Sequence, residues 1–315
     1  MTWPDTIILM LIFFLYFFSL GPYKFCLCQH ETFCGQCRPF DPPDLDKCPQ
    51  FQGLLKQVLD HLASSDSTIL LYHSVFERFR EYRRLDDNNY DSSIPHIRDI
   101  LVNAPKFNPL SMNWTNNYYS TCWGMVSTAG RVVPDIQING NLIRAFEEVP
   151  EDSPLFKILA FVVAVTILTE LCEYTIKIMV GPTIRPDWRT LHEWSGRTWE
   201  DLVFDRGHVS VMWLKENIGL MNNILGVALQ QKKGLGLPRE EYQKELSTDA
   251  CSSFLASLQS ISMEAIKFND LPDSQSGPEV TFTRLTPLPI GYRCSATDPG
   301  LVEVRVGNHH GELEI

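Results

Sequence analysis

Apolar and polar positions alternate along this chain in blocks that predict helices separated by short turns. Residues 51–63 and 68–85 carry apolar side chains at helical spacing, with Leu71, Val75, Phe79 and Tyr82 on one face of the second block. Residues 94–102 predict a shorter helix before a proline-bearing loop. The pattern changes at 118–146, where aromatic and β-branched residues are punctuated by Gly, Asn and Pro. One or two strands are expected there, the best centred on Asp135 to Ile138, followed by a turn at "INGN". "LIRAFEE" then either pairs back or starts a helix. Residues 211–231 and 239–268 also predict helices. The tail holds two strand-like runs, "VTFTRL" and "LVEVRV".

The clearest element lies at 153–180. Ser153 is a good N-cap, since its hydroxyl can accept from an orphan backbone N–H. Pro154 follows at the first helical position, where its missing donor costs nothing, and Gly181 with Pro182 ends the element. Its first turns are apolar on nearly every side, which predicts burial. Its second half places Thr166, Thr169, Glu170, Glu173 and Lys177 on one face. Two readings follow. The face is a solvated stripe, with Glu173 and Lys177 as an ordinary helix pair worth about 0.3 kcal/mol. Alternatively it opens into a cleft inside the protein, where two desolvated carboxylates need a cation or proton between them.

Composition narrows the partners. The formal net charge is −11 and the basic residues are scattered, so no nucleic acid is expected. Residues 7–20 form an apolar run short for a membrane span and suited to a secretory signal ending after Gly21. The expected organisation is a signal peptide or anchor at 1–21, a cysteine- and proline-rich segment at 22–50, a main domain at 51–270 and an extension at 271–315. The expected location is secreted, with membrane attachment only if the first segment stays uncleaved. Of nine cysteines, Cys172 lies in the apolar helix and is the best candidate for a buried free thiol. The other eight can pair as disulfides. A zinc site at residues 26–37, using Cys26, Cys28, His30, Cys34 and Cys37, is the competing possibility. Asn113 begins a glycosylation sequon. The tryptophans at 188, 194, 199 and 213 are expected in the core rather than along a groove.

"ILTELCEYTIK" resembles the active-site helix of zincin metallopeptidases, which carry His-Glu-x-x-His. In such a helix two histidines one turn apart bind zinc, and the glutamate is general base toward the zinc-bound water. Here Thr169 stands where the first His belongs, Glu170 matches the catalytic glutamate, and Glu173 stands at the second His. The strand at 135–139, "DIQIN", resembles the edge strand that borders a zincin cleft. The segment after the helix resembles the stretch where some relatives supply a third ligand, at Glu193 or Glu200. The resemblance implies an α+β, mainly helical, zincin-like fold with a small mixed sheet beside the long central helix.

Both histidine positions are changed, and that decides the expected chemistry. Thr is a poor zinc ligand. Without a bound metal, water keeps a pKa of roughly 15.7 instead of about 7, and Glu170 has nothing useful to deprotonate. The favoured expectation is a secreted, non-catalytic zincin-like protein with no cofactor, whose old cleft takes a peptide or protein. One alternative is an active hydrolase that holds zinc or another divalent cation through Glu173, Glu193 or Glu200, with His192, Asp205 and His208 nearby in sequence. Another is a cysteine-rich secreted interaction protein with no enzyme ancestry.

Overall fold

The structure is a computed structural model that describes residues 43–85, 90–103, 106–110, 123–127, 134–181, 188–233, 240–260, 263, 266–274, 277 and 279–285. The expectations for residues 1–42, for Asn113, and for Cys122 and Cys294 lie outside the described residues, as do the side chains of 188–194.

Two long helices open the described chain, α1 (Pro49–Ser64) and α2 (Asp66–Arg83), followed by α3 (Ile94–Val102). Their ends follow from local chemistry. Ser65 caps α2 by accepting from Thr68 N, and Ser93 caps α3 by accepting from His96 N. The amino end of α1 is capped from a distance. Glu147 accepts from Phe51 N at 2.7 Å, placing a carboxylate where the helix dipole favours negative charge.

Strands β1 (Phe107–Leu110), β2 (Gly124–Ser127) and β3 (Asp135–Asn139) form a mixed sheet in the order β1-β3-β2. β1 runs parallel to β3, and β2 runs antiparallel to it with Val126 opposite Ile136. The strand expected at "DIQIN" is therefore present, but it is the middle strand. The edge strand beside the central helix is β2, too short at four residues to show a period. Asn139 then caps α4 (Gly140–Glu148), so "LIRAFEE" is helical.

Helix α5 (Pro154–Val180) is the centre of the fold, with α1, α2, α3, α4, α6 (Trp188–Val203), α7 (Thr248–Ser257) and both sheets packed around it. Its predicted boundaries hold. Ser153 Oγ accepts from Phe156 N at 3.1 Å, and Gly181 ends it with a φ of +67°. By length and composition α5 could cross a membrane, with a mean hydropathy of 2.2, but 83% of that stretch is buried inside the protein.

The second sheet corrects the expectation of helices at 211–231 and 239–268. It contains β4 (His208–Leu214), β5 (Ile224–Lys233), β6 (Glu240–Leu246) and β7 (Val280–Arg284), all antiparallel in the order β6-β5-β4-β7. Among the described residues of the second range, the α-helix is α7. β4 is covered on both faces, which erases the polar–apolar alternation that marks a strand. Val209, Val211 and Trp213 enter the core on one face, and His208, Ser210 and Met212 are buried on the other. β6, "EEYQKEL", is made of good helix formers, but such preferences amount to tenths of a kcal/mol per residue. Pairing with β5 along the full length of β6 outweighs them. β7 lies within the segment expected as an extension, and α1 begins before residue 51. The compact fold thus takes in parts of both flanking segments.

Trp123 joins the two sheets. Its indole N–H donates to Arg284 O at 3.1 Å, and its ring stacks on Trp213 at 6.1 Å. Trp199 and Trp213 are fully buried, as expected for core tryptophans. Cys172 is a buried free thiol; so are Cys48 and Cys251, which were expected among the pairing cysteines. Burial pushes the Cys251 thiol up to about 12.

Candidate functional site

The second half of α5 is not a solvated stripe. Thr166, Thr169, Glu170, Glu173 and Lys177 are each at most 8% exposed. What covers this face includes β2 and β3. β2 comes close to the helix at Gly124. A Cβ there would lie 2.7 Å from Glu170 Cγ and 2.9 Å from Thr166 Cγ2, so only glycine lets the strand settle on the helix at this depth.

Thr166, Thr169, Glu173 and Lys177 each have a local reason to tolerate burial. Thr166 Oγ1 donates to Val162 O at 2.8 Å, and Thr169 Oγ1 donates to Thr166 O at 3.0 Å. Both hydroxyl protons are spent on the helix's own backbone. On the neighbouring face Tyr72 donates to Leu168 O at 2.9 Å, which pins α2 to the middle of α5. Lys177 Nζ forms an ion pair with Glu173 Oε1 and donates to Val126 O of β2 at 2.8 Å. The two side chains are 5% and 2% exposed. This is therefore not the surface helix pair worth a few tenths of a kcal/mol. Removing one partner of a buried pair leaves an uncompensated charge, at a cost of about 3–5 kcal/mol. Burial, and then Glu173 and Glu170, push the Cys172 thiol well above its ordinary range, so it stays protonated and inert.

The positions expected for a third ligand lie on α6. Phe204, just past the end of α6, packs 6.2 Å from Phe161 of α5. The side chains of His192 and Glu193 lie outside the described residues. Glu200 is fully buried and engages His208, with Oε2 3.3 Å from Nδ1. On the other side of the ring, His208 Nε2 is 3.6 Å from Asp201 Oδ1. Burial pushes the Asp201 carboxyl above its ordinary range, against the pull of His208 and Arg197. Asp205 points away as an exposed residue of the following turn. Among the described residues, no three His, Cys, Asp or Glu side chains converge as a metal-holding group.

Two interactions thus join candidates from the sequence, Glu173 with Lys177 and Glu200 with His208. Three participants were not singled out in advance. Gly124 and Val126 belong to the four-residue strand, and Asp201 lies beside a candidate. The order Glu173-x-x-x-Lys177 was visible as a helix pair, but not its burial or its bond to a strand.

Comparison of the chain with models of protein families, with curated proteins and with solved structures finds no match.

Proposed function

We propose that this chain is a secreted, non-catalytic zincin-like protein in which the ammonium of Lys177 has replaced a metal as the cation beside Glu173. The observation that carries this reading is the bridge from Glu173 through Lys177 to Val126 O, buried between the central helix and the adjacent strand. Two carboxylates on this face need a positive charge nearby, and the chain supplies it covalently. A divalent cation at Glu173 would have to displace Nζ. At the first His position, the Thr169 hydroxyl has its proton turned back on Thr166 O. The donors do not suit zinc, which favours imidazole and thiolate. The alternative set built on Glu173, Glu193 and Glu200 is weakened because Glu173 is neutralised by Lys177 and Glu200 faces His208.

The packing of β2 on α5 at Glu170 supports the zincin-like part of the reading, since the cleft of such a fold lies between the helix and the sheet edge. The retained role is binding of a peptide or protein, as the resemblance implies. Metal analysis of the purified secreted chain, joined to a peptidase assay with and without chelator, tests the proposal. The expected result is no stoichiometric zinc and no chelator-sensitive cleavage. Stoichiometric zinc together with cleavage that Glu170→Gln abolishes overturns it.

A further inference from the structure

The junction of α1, α2 and the turn after α7 holds a buried imidazole in a directed row of hydrogen bonds. His61, near the end of α1, is 2% exposed. Its Nδ1 lies 3.1 Å from Ser260 O, and its Nε2 lies 2.7 Å from Thr68 Oγ1. A carbonyl oxygen only accepts, so Nδ1 carries the proton. The other nitrogen of the neutral ring then accepts from the Thr68 hydroxyl. With its own proton spent, Thr68 Oγ1 accepts from Ser65 Oγ at 2.9 Å, and Ser65 Oγ lies 3.1 Å from Ser67 Oγ. Ser65 and Thr68 are fully buried, and Ser67 is exposed. The row thus runs from the surface at Ser67 through the buried hydroxyls to the ring, and ends on the turn after α7. Gln57, one turn earlier on α1, adds a link that does not titrate, donating from Nε2 to Leu255 O at 3.0 Å.

A charged imidazole donates from both nitrogens. Proton uptake at Nε2 therefore turns the row round. Thr68, Ser65 and Ser67 each pass on one proton and receive another, so one proton taken from water at Ser67 becomes one proton on the ring. Burial opposes this. It disfavours the charged ring and holds His61 below its ordinary range, against the pull of the carbonyls of Ser260 and Leu258. We propose that His61 is an acid-sensitive clasp that holds the end of α1 to the start of α2 and to the turn after α7, shut with the ring neutral and loosened when it takes up a proton through the hydroxyl row. The charged groups of the surrounding elements are engaged with one another. Lys56 and Asp60 of α1 pair at the surface, and Asp66 of α2 pairs with Arg98 of α3. Residues 255–260 carry no charge, and Asp249 and Cys251 stand in the first turn of α7, at its opposite end. Among the described residues, the acceptors and donors at the ring are neutral, so a charged ring has no counter-ion there.

The sign follows from proton uptake. A released imidazole titrates at about pH 6.5. Below that pH the open clasp is charged while the shut clasp stays neutral, so opening takes up one proton. Opening therefore rises as pH falls, by up to about tenfold per pH unit, and levels off once the shut ring is charged too. Hydrogen exchange of the full chain, read by mass spectrometry between about pH 4.5 and 7.5 and corrected for the intrinsic pH dependence of exchange, measures this. Amides at 58–68 and 255–260 should open up to about tenfold more for each pH unit lowered, and β5 should not follow. His61→Gln should remove the rise. A flat wild-type profile overturns the clasp, as does a rise that survives His61→Gln. If that variant does not fold, nitrogen NMR of the assigned His61 ring in the wild-type chain decides. The expected result is a neutral ring protonated at Nδ1 at about pH 7.5, which titrates only below about pH 6.5. A neutral ring with its proton on Nε2, or titration at or above about pH 6.5, overturns the clasp.

Discussion

From Ile158 to Val165, α5 meets its neighbours through apolar side chains alone. Phe161 lies 5.1 Å from Phe254 and 6.2 Å from Phe204, and Leu159 is fully buried. From Thr166 to Lys177 the same helix is hidden to the same degree, but its charged face depends on named partners. Glu173 needs Lys177, and Lys177 needs both Glu173 and Val126 O. The first half is held by area and shape, which tolerate substitution in proportion to the volume lost. The second half is held by charge placement, where removing one group exposes the burial cost of another. A long apolar helix can thus be secured in two ways along one axis, and only the second fixes which strand lies against it.

Breaking the charged half should have the largest effect. Lys177→Met is expected to cost about 3–5 kcal/mol by stranding Glu173, measured by urea unfolding. The double variant Glu173→Leu with Lys177→Met should recover most of that loss, because no buried charge remains. If the double variant is as unstable as the single one, the ion pair is not what stabilises this half. In the apolar half, Leu159→Ala is expected to cost about 2–5 kcal/mol through the cavity it opens. Its effect should add to that of Lys177→Met within about 0.5 kcal/mol, as for distant sites; strong coupling would show the two halves are not independently held. Gly124→Ala should cost about 1–3 kcal/mol by overpacking against Glu170 and Thr166. Thr166→Ser or Glu170→Ala, by opening room, should lower that penalty in the same assay.

How far the sequence could be read depended on whether the deciding interactions were local. Ser153, Pro154 and Gly181 mark the ends of α5 by chemistry within one turn, and both ends lie where those residues place them. The helices α1, α2 and α3 were legible for the same reason. The second sheet was not. β4 is buried on both faces and so has no alternation, and β6 consists of helix-favouring residues held extended by β5. In the site, Glu170 and Glu173 stood out as charges within an apolar run. Their burial depends on a strand almost 50 residues earlier in the chain, and no spacing on the helix reports it.

The sequence alone determined which segments form the long helices and that the centre of the chain must be buried, because caps and all-round apolarity act over a few residues. It also determined that two glutamates and a lysine share one face of α5, since that follows from helical periodicity. Only the tertiary structure decided that this face lies under β2 at a glycine, and that the lysine's bond to Val126 O turns an ordinary helix pair into a buried bridge between helix and sheet. The physical reason is dielectric and distance. Losing one of the same two charges costs tenths of a kcal/mol in water and about 3–5 kcal/mol when the pair is enclosed, and enclosure is supplied by residues far away in sequence.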